Sequence, residues 1–219
     1  MIMEKNITPS LLNVEESKRL DMANTLIKAG IKWIHYDVMD EKFVPNKAIQ
    51  ISEIANISKN GLKHFKDAHL MVVNPLDYIN DLKDIVDVIT FHWEAFDDKE
   101  DFYDWLIQNY DDYKIGLAIK PNTKVEEIVD FLPYISLVLV MSVEPGKGGQ
   151  SFIPSALDKI KFLYETRISK SYNYLIQVDG GINQDTSKLC FKNGADALVA
   201  GTYLVVEPTP ERIKTLLPK

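Results

Sequence analysis

The chain has 219 residues, 46% of them hydrophobic and 26% charged, fractions that exclude a disordered or collagen-like polypeptide. Lys plus Arg number 25 against 32 Asp plus Glu, a net charge of -7, and an acidic chain repels polyphosphate, so no nucleic-acid or anionic-membrane partner is expected. The longest uninterrupted apolar run, Leu137 to Met141, falls far short of the roughly 20 residues of a membrane span, and the opening residues from Met1 to Asn6 hold no apolar stretch of signal-peptide length.

Short β-type runs alternate with longer stretches of helical spacing. Ile7–Leu11 reads as the first strand. A helix over Glu15–Lys28 follows, with Leu20, Ala23, Leu26 and Ile27 at three- and four-residue steps, and Ala29-Gly30 ends it. Trp33–Val38 is the second strand and Ala48–Ser58 its helix. Phe65–Met71 precedes a helix over Asp77–Lys83, opened by Asn74-Pro75. Val86–His92 with Asp98–Tyr110, Ile115–Ile119 with Val125–Leu132, and Leu137–Met141 with Ala156–Arg167 form the next three units. Leu175–Asp179 with Gln184–Asn193, closed by Gly194, and Ala197–Ala200 with Pro210–Leu217 complete the series.

Eight strand–helix units without a linker predict an α/β protein, a single-domain (β/α)8 TIM barrel over residues 1–219. The rival, an open doubly wound sheet, wants a Gly-rich turn after the first strand, and Pro9-Ser10-Leu11-Leu12-Asn13 is nothing of the kind. A barrel puts its chemistry at the C-terminal ends of the strands without saying which chemistry it is.

The strand ends carry the informative residues. The second closes with His35-Tyr36-Asp37-Val38-Met39-Asp40, and residues two apart share a face, so His35, Asp37 and Met39 point one way and Ile34 and Val38 the other. The third closes with His69-Leu70-Met71 and the seventh with Val178-Asp179-Gly180-Gly181. Two imidazoles and two carboxylates can therefore converge on the barrel axis. Burying carboxylates in a barrel mouth is costly unless a cation or a partner neutralises them. A two-His, two-Asp set suits one divalent ion, Zn(II), Fe(II), Co(II) or Mn(II), acting as a Lewis acid. Met39, Met71 and Met141 end at one level and form an apolar, polarizable collar. A lone strand histidine is more often packed than liganding; three strand ends together reverse those odds. His64 is expected at the surface, and His92, beside Trp93 and Glu94, is either part of the catalytic end or loop packing.

Three Gly-rich segments follow consecutive strands: Glu144-Pro145-Gly146-Lys147-Gly148-Gly149-Gln150, Asp179-Gly180-Gly181-Ile182-Asn183 and Val199-Ala200-Gly201-Thr202. Glycines let backbone N–H groups approach an anion, and barrels bind phosphate at these last loops. Cys190, the single cysteine, excludes an intrachain disulfide, suits a reducing, cytoplasmic compartment and is expected to pack inside. Asp97–Asp101 reads as a solvated helix start, and Trp33, Trp93 and Trp105 as core or interface.

These residues resemble the ribulose-phosphate 3-epimerase family. The likeness is carried by Pro9-Ser10-Leu11, His35-Tyr36-Asp37-Val38-Met39-Asp40, Phe43-Val44-Pro45-Asn46, His69-Leu70-Met71-Val72, Asn74-Pro75, Met141-Ser142-Val143-Glu144-Pro145-Gly146, Gly148-Gly149-Gln150, Phe152-Ile153-Pro154, Val178-Asp179-Gly180-Gly181 and Val199-Ala200-Gly201. The resemblance implies a small phosphorylated ketose substrate, one divalent metal held by His35, Asp37, His69 and Asp179, and acid–base roles for Asp37 and Asp179. It implies Ser10 hydrogen-bonding near the substrate on the Asp37 side, His69, Met39, Met71 and Met141 against the substrate, and Gly146, Lys147, Gly148, Gly149, Gly180, Gly181, Gly201 and Thr202 around the phosphate. It also implies a homo-oligomer. The chain departs from the family pattern at Glu41-Lys42, where Gly-His is usual, at Lys147, where an aromatic is usual, and at Thr202, where serine is commoner. Three alternatives accompany this reading: an epimerase of a ketohexose 6-phosphate of the allulose 6-phosphate type, another phosphate-binding barrel enzyme, and a non-catalytic phosphate-ligand binder.

Overall fold

The computed structural model describes residues 4–218, so Met1–Met3 and Lys219, the ends of the expected 1–219 domain, lie outside the described residues. Eight strands form one parallel sheet: β1 (Asn6–Ile7), β2 (Trp33–Met39), β3 (Phe65–Met71), β4 (Val88–His92), β5 (Ile115–Ile119), β6 (Leu137–Met141), β7 (Leu175–Asp179) and β8 (Ala197–Val199). Strands β2 to β8 pair in sequence order, and β1 pairs with β8. The barrel closes between β1 and β2 through a single bridge, Ser10 to His35, where the His35 N–H donates to the Pro9 carbonyl at 3.0 Å.

Outside the strands lie α1 (Arg19–Lys28), α2 (Ile51–Asn60), α3 (Ile79–Leu82), α4 (Lys99–Asn109), α5 (Ala156–Lys170), α6 (Gln184–Lys192), α7 (Gly201–Val205) and α8 (Pro210–Leu216). The α4 start reads as expected: the Asp98 carboxylate accepts from the N–H groups of Glu100 and Asp101. Four features differ from the sequence reading. The first strand is cut short because Pro9 has no N–H to donate to a ladder. The fourth begins two residues late because the Val86 N–H is spent on the Leu82 carbonyl at 3.0 Å. The fifth connection is a 3₁₀ helix, Val125–Tyr134, with Pro133 in its last turn. The short α7 has no sequence counterpart at all.

Alternation along each strand divides the core in two. Ile34, Tyr36 and Val38 face outward onto the helices, whereas Trp33, Val88, Leu137, Leu139, Met141 and Ala197 fill the barrel interior. Cys190 is fully buried in the outer layer. His64 is not at the surface: it is 7% exposed, with Nε2 2.7 Å from the Tyr36 hydroxyl and Nδ1 2.6 Å from the Leu62 carbonyl oxygen. The outward-facing Tyr36 needs a partner for its buried hydroxyl, and His64 supplies one.

Candidate active site

Strand register assembles the site. In the β2–β3 pair Asp37 lies opposite His69 and Met39 opposite Met71, and in the β6–β7 pair Met141 lies opposite Asp179. Each strand thus delivers its polar group one layer below a methionine or beside one. One donor atom from each of His35, Asp37, His69 and Asp179 falls within 4.8 Å of the others. His35 Nε2 and His69 Nδ1 stand 3.3 Å apart. Asp37 Oδ1 is 3.4 Å from the first and 3.2 Å from the second, and Asp179 Oδ2 is 3.9 Å from His69 Nδ1. Ser10, at the barrel's closing bridge, donates to Asp37 Oδ2 at 2.5 Å.

Each imidazole is held from behind. His35 Nδ1 lies 2.5 Å from Asp67 Oδ1, and Asp67 Oδ2 accepts from Trp33 Nε1 and Gln177 Nε2, each at 2.7 Å. His69 Nε2 lies 2.8 Å from His92 Nε2, and His92 Nδ1 lies 3.0 Å from Glu94 Oε2. The outer nitrogen of His69 meets His92 and that of His35 abuts the Asp67 carboxylate, and the inner nitrogens of both rings face the two carboxylates. That donor set fits a divalent ion. Its two nitrogens and two oxygens lie close together, and its ring orientations are fixed by outer partners, as ligating histidines require.

The two carboxylates differ in their surroundings. Burial pushes Asp37 up, but the His35 charge, the His35 hydrogen bond and the neighbouring His69 ring outweigh it and hold the carboxyl below its ordinary range. Burial and the neighbouring Asp37 charge push Asp179 up to about 7. Burial likewise opposes charge on His35, yet Asp67 and Asp37 overcome it and raise that imidazole's pKa. Burial lowers His69, and it takes His92 down to about 4.

Above the cluster opens a cleft of 460 Å³. Its wall contains Ser10, Asp37, Asp179, the methionines Met39, Met71 and Met141, and every glycine of the three Gly-rich segments, together with Lys147 and Thr202. His35 and His69 are fully buried beneath it. Gly180 and Gly181 have φ of +121° and +61°. A Cβ on Gly180 would meet the Val143 side chain at 2.5 Å, and one on Gly181 would meet the Phe152 backbone nitrogen at 2.4 Å. Only glycine lets the chain turn this tightly beside the cleft. Asn13 ties the rim together by donating from Nδ2 to Thr202 Oγ1 at 2.8 Å.

The sequence reading did not single out Asp67, Gln177 or Glu94. Asp67 was detectable, since it sits two residues before His69 and shares its face. The roles of Gln177 and Glu94 depend on strands and loops distant in the chain. His92 belongs to the catalytic end, and Trp33 is both core and hydrogen-bond donor.

Comparison with known proteins agrees with this geometry. A 3-hexulose-6-phosphate synthase structure superimposes with a TM-score of 0.68 at 17% identity, over 98% of both chains, which shows the shared barrel fold. The ribulose-phosphate 3-epimerase of Schizosaccharomyces pombe (strain 972 / ATCC 24843) is 37% identical over 97% of this chain and 92% of its own length. A protein of Oryza sativa subsp. japonica named "Ribulose-phosphate 3-epimerase, cytoplasmic isoform" is 35% identical over 97% of this chain and 92% of its own. The profile of the ribulose-phosphate 3 epimerase family matches residues 6–205. With the profile spanning nearly the whole barrel, and with relatives above 30% identity over 92% of their own length, this chain belongs to the ribulose-phosphate 3 epimerase family.

Proposed function

We propose that the chain is a ribulose-phosphate 3-epimerase that interconverts D-ribulose 5-phosphate and D-xylulose 5-phosphate by inverting C3. One observation carries this reading: the carboxylates of Asp37 on β2 and Asp179 on β7 belong to one cluster with the imidazoles of His35 and His69, and both carboxylates line the cleft. Two carboxylates delivered by separate strands to one site can serve as base and acid in turn.

Epimerisation beside a ketone needs a proton taken from one face of C3 and another returned to the opposite face. Asp37 rises from β2 and Asp179 from β7, with β8 and β1 between them, so a substrate lying across the mouth is flanked by both. Ionised Asp37 accepts the C3 proton, and the C–H electron pair moves toward the C2 carbonyl. Asp179 then gives its proton to the other face of C3. The reverse reaction exchanges the two roles. Ser10 fixes the Asp37 carboxylate, and the methionine collar keeps water from the reacting carbon. Gly146, Lys147, Gly148, Gly149, Gly180, Gly181, Gly201 and Thr202 take the phosphate at the rim. His35, Asp37, His69 and Asp179 would hold one divalent ion, drawn from Zn(II), Fe(II), Co(II) and Mn(II), which would supply Lewis-acid stabilisation of negative charge on the substrate oxygens.

The test joins metal analysis of the purified protein to a ribulose 5-phosphate epimerase assay with and without chelator. A ketohexose 6-phosphate is assayed beside it. Loss of activity on chelation and recovery on adding back the ion support the reading; a kcat/KM that favours the hexulose phosphate overturns the substrate assignment. No helix among the described residues is long and apolar enough to cross a membrane. The reading carries with it a cytoplasmic location and a homo-oligomeric state, the second of which sedimentation analysis of the purified chain tests directly.

A further inference from the structure

We propose that Glu94 is a positioning residue that acts through His92 to decide which ring nitrogen of His69 bears the proton. The inference rests on the reading above, in which His69 presents the Nδ1 lone pair to a metal ion.

A chain of single hydrogen bonds links Glu94 to His69. Lys120 N–H donates to Glu94 Oε1 at 2.8 Å, and the Thr123 hydroxyl donates to the same oxygen. The Lys120–Thr123 loop is itself pinned, because Lys159 Nζ donates to the carbonyls of Lys120, Pro121 and Thr123 at 2.8, 2.8 and 2.6 Å. Oε1 is therefore fixed as an acceptor, and Oε2 faces His92 Nδ1 at 3.0 Å. A carboxylate only accepts, so His92 carries its proton on Nδ1. His92 Nε2 is then a lone pair, and it lies 2.8 Å from His69 Nε2. One proton must sit between those two nitrogens, so His69 supplies it from Nε2. The lone pair of His69 is left on Nδ1, which faces Asp37, Asp179 and His35. A carboxylate two residues beyond β4 thus sets the tautomer of a residue on β3.

The same logic makes Glu94→Gln a sharp probe. A backbone N–H can only donate, so Lys120 keeps the amide oxygen at the Oε1 position. The amide NH2 then faces His92 Nδ1 and reverses each bond in the relay. His92 moves its proton to Nε2, and His69 moves its own to Nδ1, where an N–H blocks the metal position.

Histidine-15N-labelled, metal-free protein is the material for the test, with long-range proton–nitrogen correlation reporting the tautomers. The wild type is expected to show the His69 proton on Nε2 and the His92 proton on Nδ1. Glu94→Gln is expected to invert both, and Glu94→Asp, which keeps a carboxylate, to retain the wild-type pattern. Chelator competition with Zn(II) is expected to show affinity reduced about 10–100-fold in Glu94→Gln, the usual consequence of losing an outer partner of a ligating histidine. In a His92→Phe background Glu94→Gln is expected to add nothing further. A wild-type His69 proton on Nδ1, or unchanged tautomers in Glu94→Gln, overturns the proposal even if no variant crystallises or turns over. A wild type that binds no Zn(II) and has no epimerase activity would instead overturn the functional reading, while the tautomer pattern stands by itself.

Discussion

The Ser10 hydroxyl donates to Asp37 Oδ2 at 2.5 Å, so Asp37 keeps only Oδ1 for the imidazoles of His35 and His69, at 3.4 and 3.2 Å. The two oxygens of one carboxylate are thereby separated: one is anchored to the barrel seam and the other is presented to the cluster. Removing the charge without changing the shape tests what that presentation does. Asp37→Asn and Asp179→Asn are each expected to lower kcat by about 10²–10⁴-fold, with near-ultraviolet circular dichroism unchanged. Either variant keeping more than about a tenth of the wild-type rate removes the two-carboxylate scheme.

Asp67 is fully buried, and its oxygens meet His35, Trp33 and Gln177. Asp67→Ala leaves two N–H donors unpaired and deprives His35 of its outer partner. Breaking a buried pair from one side costs about 3–5 kcal/mol, and urea unfolding of the two proteins is expected to show a loss of that size. A midpoint shift equivalent to less than about 1 kcal/mol would count against this account.

Glu41 stands at a φ of +60°, where the family pattern usually has glycine. A non-glycine residue in this region costs about 1–2 kcal/mol, and glycine returns about 0.5–1 kcal/mol of that through the freedom of its unfolded chain. Glu41→Gly is therefore expected to raise stability, by up to about 1 kcal/mol net. Thermal unfolding decides it, and a lower Tm for the variant contradicts the strain argument.

His64 gives the stability a pH dependence of known sign. Burial pushes its pKa below the ordinary value of 6.5, and the Lys66 charge adds to this against the Leu62 hydrogen bond and Asp87. The folded chain resists a proton that the unfolded chain accepts. The contribution is then complete above pH 6.5 and is lost as pH falls below that value toward the lowered one. His64→Gln is expected to have a flatter acid limb in a Tm-against-pH series. Parallel curves for variant and wild type would assign the acid sensitivity to other groups.

The strand ends were legible because a two-residue repeat needs nothing but the local sequence. His35, Asp37 and Met39 share a face wherever β2 goes, and His69 with Met71 reads the same way. The site's outer layer was not legible to the same degree. The Gln177 side chain reaches Asp67 from four strands away around the sheet, and Glu94 is tied to Lys120 and Thr123 from another loop. Boundaries failed where one backbone group had a stronger local claim, as at Pro9 and Val86. The misplacement of His64 has the same origin: its partner, the Tyr36 hydroxyl, lies 28 positions away, in a layer the pattern marks only as apolar.

By itself the sequence determined the alternation of strands and helices, the inward face of each strand, and therefore which His, Asp and Met side chains could meet. These follow from backbone geometry, which acts over a few residues. Only the tertiary structure decided that Asp37 and Asp179 sit in unlike surroundings and that each imidazole is fixed by a partner behind it. Burial, neighbouring charge and the direction of a hydrogen bond depend on which atoms are brought close in space, and those atoms come from strands and loops that the chain joins only when the barrel closes.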